Sequence, residues 1–209
     1  MADVTIDTLR ITGSIAVKET GLAAQTRATI LKQDALAIFP VNMMDLRVWD
    51  AIQTNLPGTA ATDDLALIGT TFGSTAPLIS AGDLKAAGAT TRYARFMVEL
   101  PECYDAGETI TLSLSAGMQT TVASVSCTVD VECYKIDKIT GIGSDLCTTA
   151  ATSINSLTFG AKAFTITPSG LVAGDVLDIR LTIACNDAGT GTAVKPTIAG
   201  IDLLCDIKG

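Results

Sequence analysis

Residues 123–134 read ASVSCTVDVECY. Ala123, Val125, Cys127, Val129, Val131 and Cys133 take the odd positions. Ser124, Ser126, Thr128, Asp130, Glu132 and Tyr134 take the even ones. Side chains alternate across a β-strand, so this stretch puts one face on a core and leaves the other wet. A slip by one residue would carry the whole apolar set into water, which fixes the register.

The same period recurs on both sides. Leu177, Ile179, Leu181, Ile183 and Cys185 alternate with Asp178, Arg180, Thr182 and Ala184. Ile201, Leu203, Cys205 and Ile207 alternate with Asp202, Leu204 and Asp206. Ala94, Phe96, Val98 and Leu100 form another set, Ile110, Leu112 and Leu114 a fourth, and Phe164 with Ile166 a shorter fifth. Between the runs stand Asp105-Ala-Gly107, Pro168-Ser-Gly170, Ala173-Gly-Asp175 and Asn186-Asp-Ala-Gly189, all of turn chemistry. Many strands joined by short turns predict an all-β chain, an antiparallel β-sandwich that is jelly-roll-like at this length.

Helix signals are few. Residues 83–88 could make one turn, with Asp83 capping its start and Gly88 its end. Leu146, Ala150, Ile154 and Leu157 have helical spacing, although a Thr-rich loop fits the same residues.

The first 75 residues are less regular. Strands are expected within residues 5–11 and 28–39. Leu46, Val48 and Trp49 form an apolar cluster, and an exposed loop is expected over 53–64. The expected organisation is an irregular N-terminal arm with extra strands over 1–75, packing on the sandwich or on a neighbouring subunit. The jelly-roll-like sandwich is expected over 76–209.

Composition narrows function. Hydrophobic residues make up 48% of the 209 and charged residues 17%. Disorder needs the opposite balance. The shortage of charge points to surface covered by partners, because soluble domains carry about 25% charged residues. The net charge is −8 with no Lys/Arg run, which argues against nucleic acid as a partner. The chain has no histidine, and so lacks the commonest general base and metal ligand. The start, MADVTIDTLR, does not read as a secretory signal. No apolar run approaches the roughly 20 residues that span a bilayer. The expectation is a soluble protein made in the host cytoplasm, without a membrane partner.

Six cysteines occur, at 103, 127, 133, 147, 185 and 205. No CxxC pair and no histidine accompany them, so zinc is poorly supported. Cys127 and Cys133 lie on one face of one strand, about 20 Å apart, too far for a disulfide. Were 177–185 and 201–207 a simple hairpin, Cys185 would face about Thr197 and would miss Cys205. Buried thiols filling core positions are expected. Disulfides formed in an oxidising medium are the alternative.

Other candidate chemistry is thin. Gly189-Thr-Gly191-Thr and Gly141-Ile-Gly143 lack the Gly-Lys-Ser/Thr ending and helix of a phosphate loop. Asp63 and Asp64 lack a spaced set of oxygen ligands for calcium. Glu99, Glu102, Asp105 and Glu108 cluster near a turn, where surface charge is expected rather than a glycosidase pair across a cleft. Trp49 and Tyr93 could stack on sugars, but one Trp and three Tyr make a poor platform. Trp49 is expected as a core or interface anchor. No catalytic, cofactor-binding or metal-binding residues are assigned, and no small-molecule substrate is expected.

Several longer stretches carry a resemblance: NMMDLRVWDAIQTNLPGTAATDDLALIG, ATTRYARFMVELPECYDAGETITLSLSAGM, GSDLCTTAATSINSLTF, FTITPSGLVAGDVLDIRLTIACNDAGTGTAV and the closing IAGIDLLCDIKG. Together they resemble structural proteins of tailed phages and prophages, similar to jelly-roll head decoration (cement) proteins. The resemblance covers most of the chain and includes no catalytic signature. It implies a non-enzymatic virion protein on the capsid exterior, a homotrimer bridging major capsid protein subunits. The alternatives are another virion part (tail, fibre or shell subunit) or a carbohydrate- or receptor-binding sandwich module.

Overall fold

The computed structural model describes residues 35–208, apart from 70, 138, 140 and 190. Its strands, in chain order, are β1 (Ala35–Pro40), β2 (Arg47–Val48), β3 (Ala51–Asn55), β4 (Ala66–Ile68), β5 (Leu78–Ser80), β6 (Ala87–Glu99), β7 (Ile110–Met118), β8 (Ser126–Lys135), β9 (Thr152–Ser153), β10 (Gly160–Ile166), β11 (Val176–Ala188) and β12 (Pro196–Ile207). One 3-10 turn, Met43–Asp45, follows β1, and the Asn42 side chain caps it by accepting from Met44 N. No α-helix occurs among the described residues.

The pairing is nested. β1 pairs with β12, β6 with β11, β7 with β10 and β8 with β9, all antiparallel. First meets last, second meets last but one, and so inward, which is a long hairpin rolled on itself. The sheets that result run β10-β7-β12-β1 and β6-β11-β8-β9. This is an eight-stranded jelly roll, as the alternation predicts.

The remaining strands, β2 to β5, form an insertion between β1 and β6. β2 and β3 extend the second sheet beyond β6. β5 and β4 extend the first sheet, β5 joining β12 at Thr197 and Ile198. β1 takes residues 202–207 of the same strand. Because β7 holds the opposite side of β12, β1 and β5 lie along one edge. Residues 1–34, which hold the strand expected at 5–11 and the first part of the arm expected over 1–75, lie outside the described residues.

Alternation builds the core. The inward side chains of β8 are Cys127, Val129, Val131 and Cys133, all buried. They meet Leu177, Ile179, Leu181 and Ile183 of β11 on the same face, and Leu112, Leu114, Phe164 and Leu203 from the opposite sheet. Leu46 and Leu65 from the insertion join this cluster. Val125 departs from the pattern. It is exposed, because β8 starts one residue later and the loop before it is tied at Ala123, whose N–H and C=O both bond the Asn155 amide.

Both helix hints give way to extended backbone. Asp83 caps no helix. Its Oδ1 accepts from Lys85 N at 3.0 Å and from Val194 N at 2.9 Å, which ties the chain before β6 to the β11–β12 connection. At 146–157 the backbone bonds reach sideways: Leu146 N to Cys133 O, Thr167 N to Leu146 O and Ile154 N to Cys127 O. Those partners lie on neighbouring strands, so tertiary pairing overrides the spacing. Nor do β11 and β12 form a hairpin; they belong to different sheets.

Candidate functional site

On the outer face of the second sheet, register sets residues from four strands side by side. Arg47 of β2 lies opposite Arg95 of β6, Arg95 opposite Arg180 of β11, and Arg180 opposite Glu132 of β8. Three arginines in line on adjacent strands would repel one another. Carboxylates relieve this. Arg95 Nε donates to Asp178 Oδ1 at 2.7 Å and Arg95 Nη2 donates to Oδ2, a bidentate pair. Arg180 pairs with Glu132, and Arg47 bonds the Asn55 side chain. The bonds to Asp178 hold the Arg95 guanidinium above its ordinary pKa.

Aromatic rings stand beside these pairs. Trp49 and Tyr93 have ring centroids 5.0 Å apart, tilted by 45°. The Arg180 guanidinium carbon lies 5.6 Å from the Trp49 centroid and 5.1 Å from that of Tyr93, within cation–π range. Trp49 Nε1 donates to Asp63 Oδ2 at 3.1 Å, which fixes the indole. The Asp63 carbonyl accepts from Tyr93 N and Tyr93 O from Leu65 N, so the 63–65 segment is laced to β6. Thr62 just before it has φ +48°, the only non-glycine in the left-handed region among the described residues.

A cleft of about 350 Å³ opens here, lined by Trp49, Asp50, Arg95, Glu132, Tyr134, Ile142, Asp178 and Arg180. Three carboxylates face two guanidinium groups. Burial, Glu132 and Asp145 raise the Tyr134 hydroxyl's pKa, against the opposing effect of Arg180. Tyr134 remains a neutral donor at pH 7.

A second surface is apolar. Met44 and residues 67–69 and 71–77 line a groove of about 700 Å³, and Phe72 stands fully exposed in the β4–β5 loop. On β1, Leu36 and Ile38 also point outward, each more than 60% exposed. Among the described strands β1 pairs only with β12. Since β1 and β5 share one edge of β12, these features occupy the same edge of the first sheet.

No protein-family model matches the chain, and comparison with curated proteins finds no match. Among solved structures the chain is similar to a structure of the infectious bursal disease virus Gx strain, at 13% identity and a TM-score of 0.39 over 84% of this chain and 32% of that one. The chain thus spans about a third of that protein's length. It is also similar to a family 16 carbohydrate-binding module, at 13% identity and TM-score 0.37, over 70% of this chain and 88% of the module. The CBM22-1 xylan-binding domain of Paenibacillus barcinonensis Xyn10C gives 8% identity and TM-score 0.37, over 70% and 82%.

The remaining candidates scatter. Glu99, Glu102, Asp105 and Glu108 line neither the cleft nor the groove, and Glu99 and Glu102 sit at the surface over Gly174. Asp63 is engaged with Trp49, and no group of three or more metal-ligating side chains occurs among the described residues. Gly191 and the Gly141-to-Gly143 turn are exposed connections between strands.

Two features escape sequence reading. Trp49, expected as a core or interface anchor, is half-buried and lines the cleft. Cys127 and Cys185 lie directly opposite on β8 and β11. Only the strand register could have shown either one.

Proposed function

We propose that this chain is a structural protein of a virus particle, a decoration protein on the outside of a tailed-phage head. In this reading it acts as a homotrimer, contacts the major capsid protein and catalyses no reaction. The observation that carries the reading is the apolar edge of the first sheet. Phe72, Met44, Leu36 and Ile38 are exposed on a jelly roll whose own core is already filled. A folded domain gains nothing from such side chains in water. Burying each against a shell subunit would contribute roughly 1.5–3 kcal/mol before the cost of association. Repeated over many copies on one particle, modest contacts suffice. The excess of acidic residues, net −8, would keep decorated particles apart in solution.

The resemblance of the sequence to head decoration proteins supports the same reading. Quantitative mass spectrometry of purified particles tests it. A decoration protein is present in hundreds of copies beside the major capsid protein, whereas a handful of copies would move the chain to the tail.

A further inference from the structure

The cleft on the second sheet shares no lining residue with the apolar groove and has different chemistry. The chain holds one Trp and three Tyr. Tyr104 is buried in the core, where its hydroxyl donates to Glu108 O. The other three, Trp49, Tyr93 and Tyr134, gather on the outer face of one sheet, half-buried. Random placement of so few aromatic polar residues would not collect them at one spot.

Their surroundings select a ligand class. Only Ile142 is aliphatic in the lining, so an apolar peptide face finds little to cover. Carboxylates outnumber guanidinium groups, and both guanidinium groups are already paired, so phosphates are disfavoured. No metal-ligating cluster is present among the described residues. What remains is a set of fixed planar donors and acceptors beside aromatic faces. Glu132 and Arg180 are held rigid by their ion pair. The Asp50 carboxylate is exposed, and Tyr134 lines the cleft beside it. Sugars offer what such a surface needs: vicinal hydroxyls for carboxylates and guanidinium, and C–H faces for rings. The volume lies at the lower end of small-ligand sites, enough for one or two sugar rings.

We propose that this cleft binds a neutral, polyhydroxylated ligand, a sugar chain, with Tyr134, Glu132 and Asp50 meeting its hydroxyls and Trp49, backed by Tyr93, lying against its apolar face. Such a site would give a shell-bound copy a hold on glycan at a host surface, though the sugar site itself does not depend on the shell reading.

The only Trp of the chain sits in the cleft, so its emission reports occupancy. The test titrates the full chain with neutral gluco-, xylo- and N-acetylglucosamine hexasaccharides and follows Trp49 fluorescence. At least one should shift the emission saturably. Tyr134→Ala and Glu132→Gln should each weaken that binding roughly tenfold or more, with circular dichroism and thermal midpoint read in parallel to show that both variants fold. If the cluster serves only to glue the β2–β3 insertion to the sheet, Trp49→Ala lowers the midpoint and no sugar moves the emission. That result overturns the proposal, as does sugar binding that survives both variants, or emission changes produced only by acidic glycans or inorganic phosphate.

Discussion

Cys127 and Cys185 face each other across β8 and β11, both buried. Directly opposed residues on antiparallel strands have Cα atoms about 4.5–5.5 Å apart, inside the range a disulfide needs. The pair sits next to Ser126 and Asn186, the last pair of that ladder, where strands open most readily. Treatment with a low-molecular-weight disulfide should therefore join these two first. The two thiols lose two protons and two electrons, and the reagent is reduced to two thiols. Peptide mapping by mass spectrometry would find the 127–185 link. A first link elsewhere counts against the geometry.

Native labelling should be selective. Cys103 is the exposed thiol, and Cys147 is half-buried. The other four are buried. A thiolate is the reacting form, and burial pushes Cys133 up to about 12 and Cys205 up to about 11. Maleimide at neutral pH should modify Cys103 fastest, and all six should react only after denaturation under reducing conditions.

The same thiols predict alkaline sensitivity. Their folded pKa values lie above the ordinary thiol value of 9.0. The unfolded chain thus loses protons first as pH rises. Their contribution to stability is complete below pH 9 and is lost as pH climbs towards 11 and 12. Urea midpoints measured in reductant at a series of pH values should fall through that window. A flat profile would contradict the buried placement.

Asp178→Ala should destabilise the fold by about 1–3 kcal/mol. Asp178 is almost fully buried and supplies both acceptors for Arg95. Without it, Arg95 faces Arg47 and Arg180 with no countercharge between them. Urea unfolding reads the loss. Thr62→Asn should do the reverse, gaining about 0.5–1 kcal/mol, because Asn tolerates a positive φ that a β-branched residue does not.

Phe72→Asp should leave the thermal midpoint of the isolated protein within a degree or so, since an exposed side chain contributes little to the core. On the decoration reading it should cut binding to shells lacking this protein by about tenfold or more, as measured by co-sedimentation. Equal binding by variant and parent would remove Phe72 from the contact.

Alternation made six of the longer strands readable, because each keeps one face in the core: Cys127 to Cys133 obey the rule residue by residue, and Leu177 to Ile183 break it only at Asp178, which is buried on the outer face by its pairing with Arg95. Strand order was not readable, since nothing local in β1 says that its partner is β12. The cleft stayed hidden for the same reason. Arg95, Glu132 and Arg180 occupy the wet positions of three separate strands and look like ordinary surface until register aligns them. Short strands such as β2 and β9 carry too few residues for any period to show. The helical spacing at 146–157 misled because Ile154 is buried through a sideways bond to Cys127, not through a helix face.

The nested pairing also governs how the molecule comes off the ribosome. About 170 residues separate Ala35 from its partner Ile207. At about 5–20 residues per second, the first strand waits on the order of 10–30 s for the last to be synthesised. During that interval Phe39 and the half-built interior have no partner to cover them. The sandwich thus closes only after its last strand is made, and high yield in a foreign host will depend on slow synthesis at low temperature or on chaperones that shield the nascent edge.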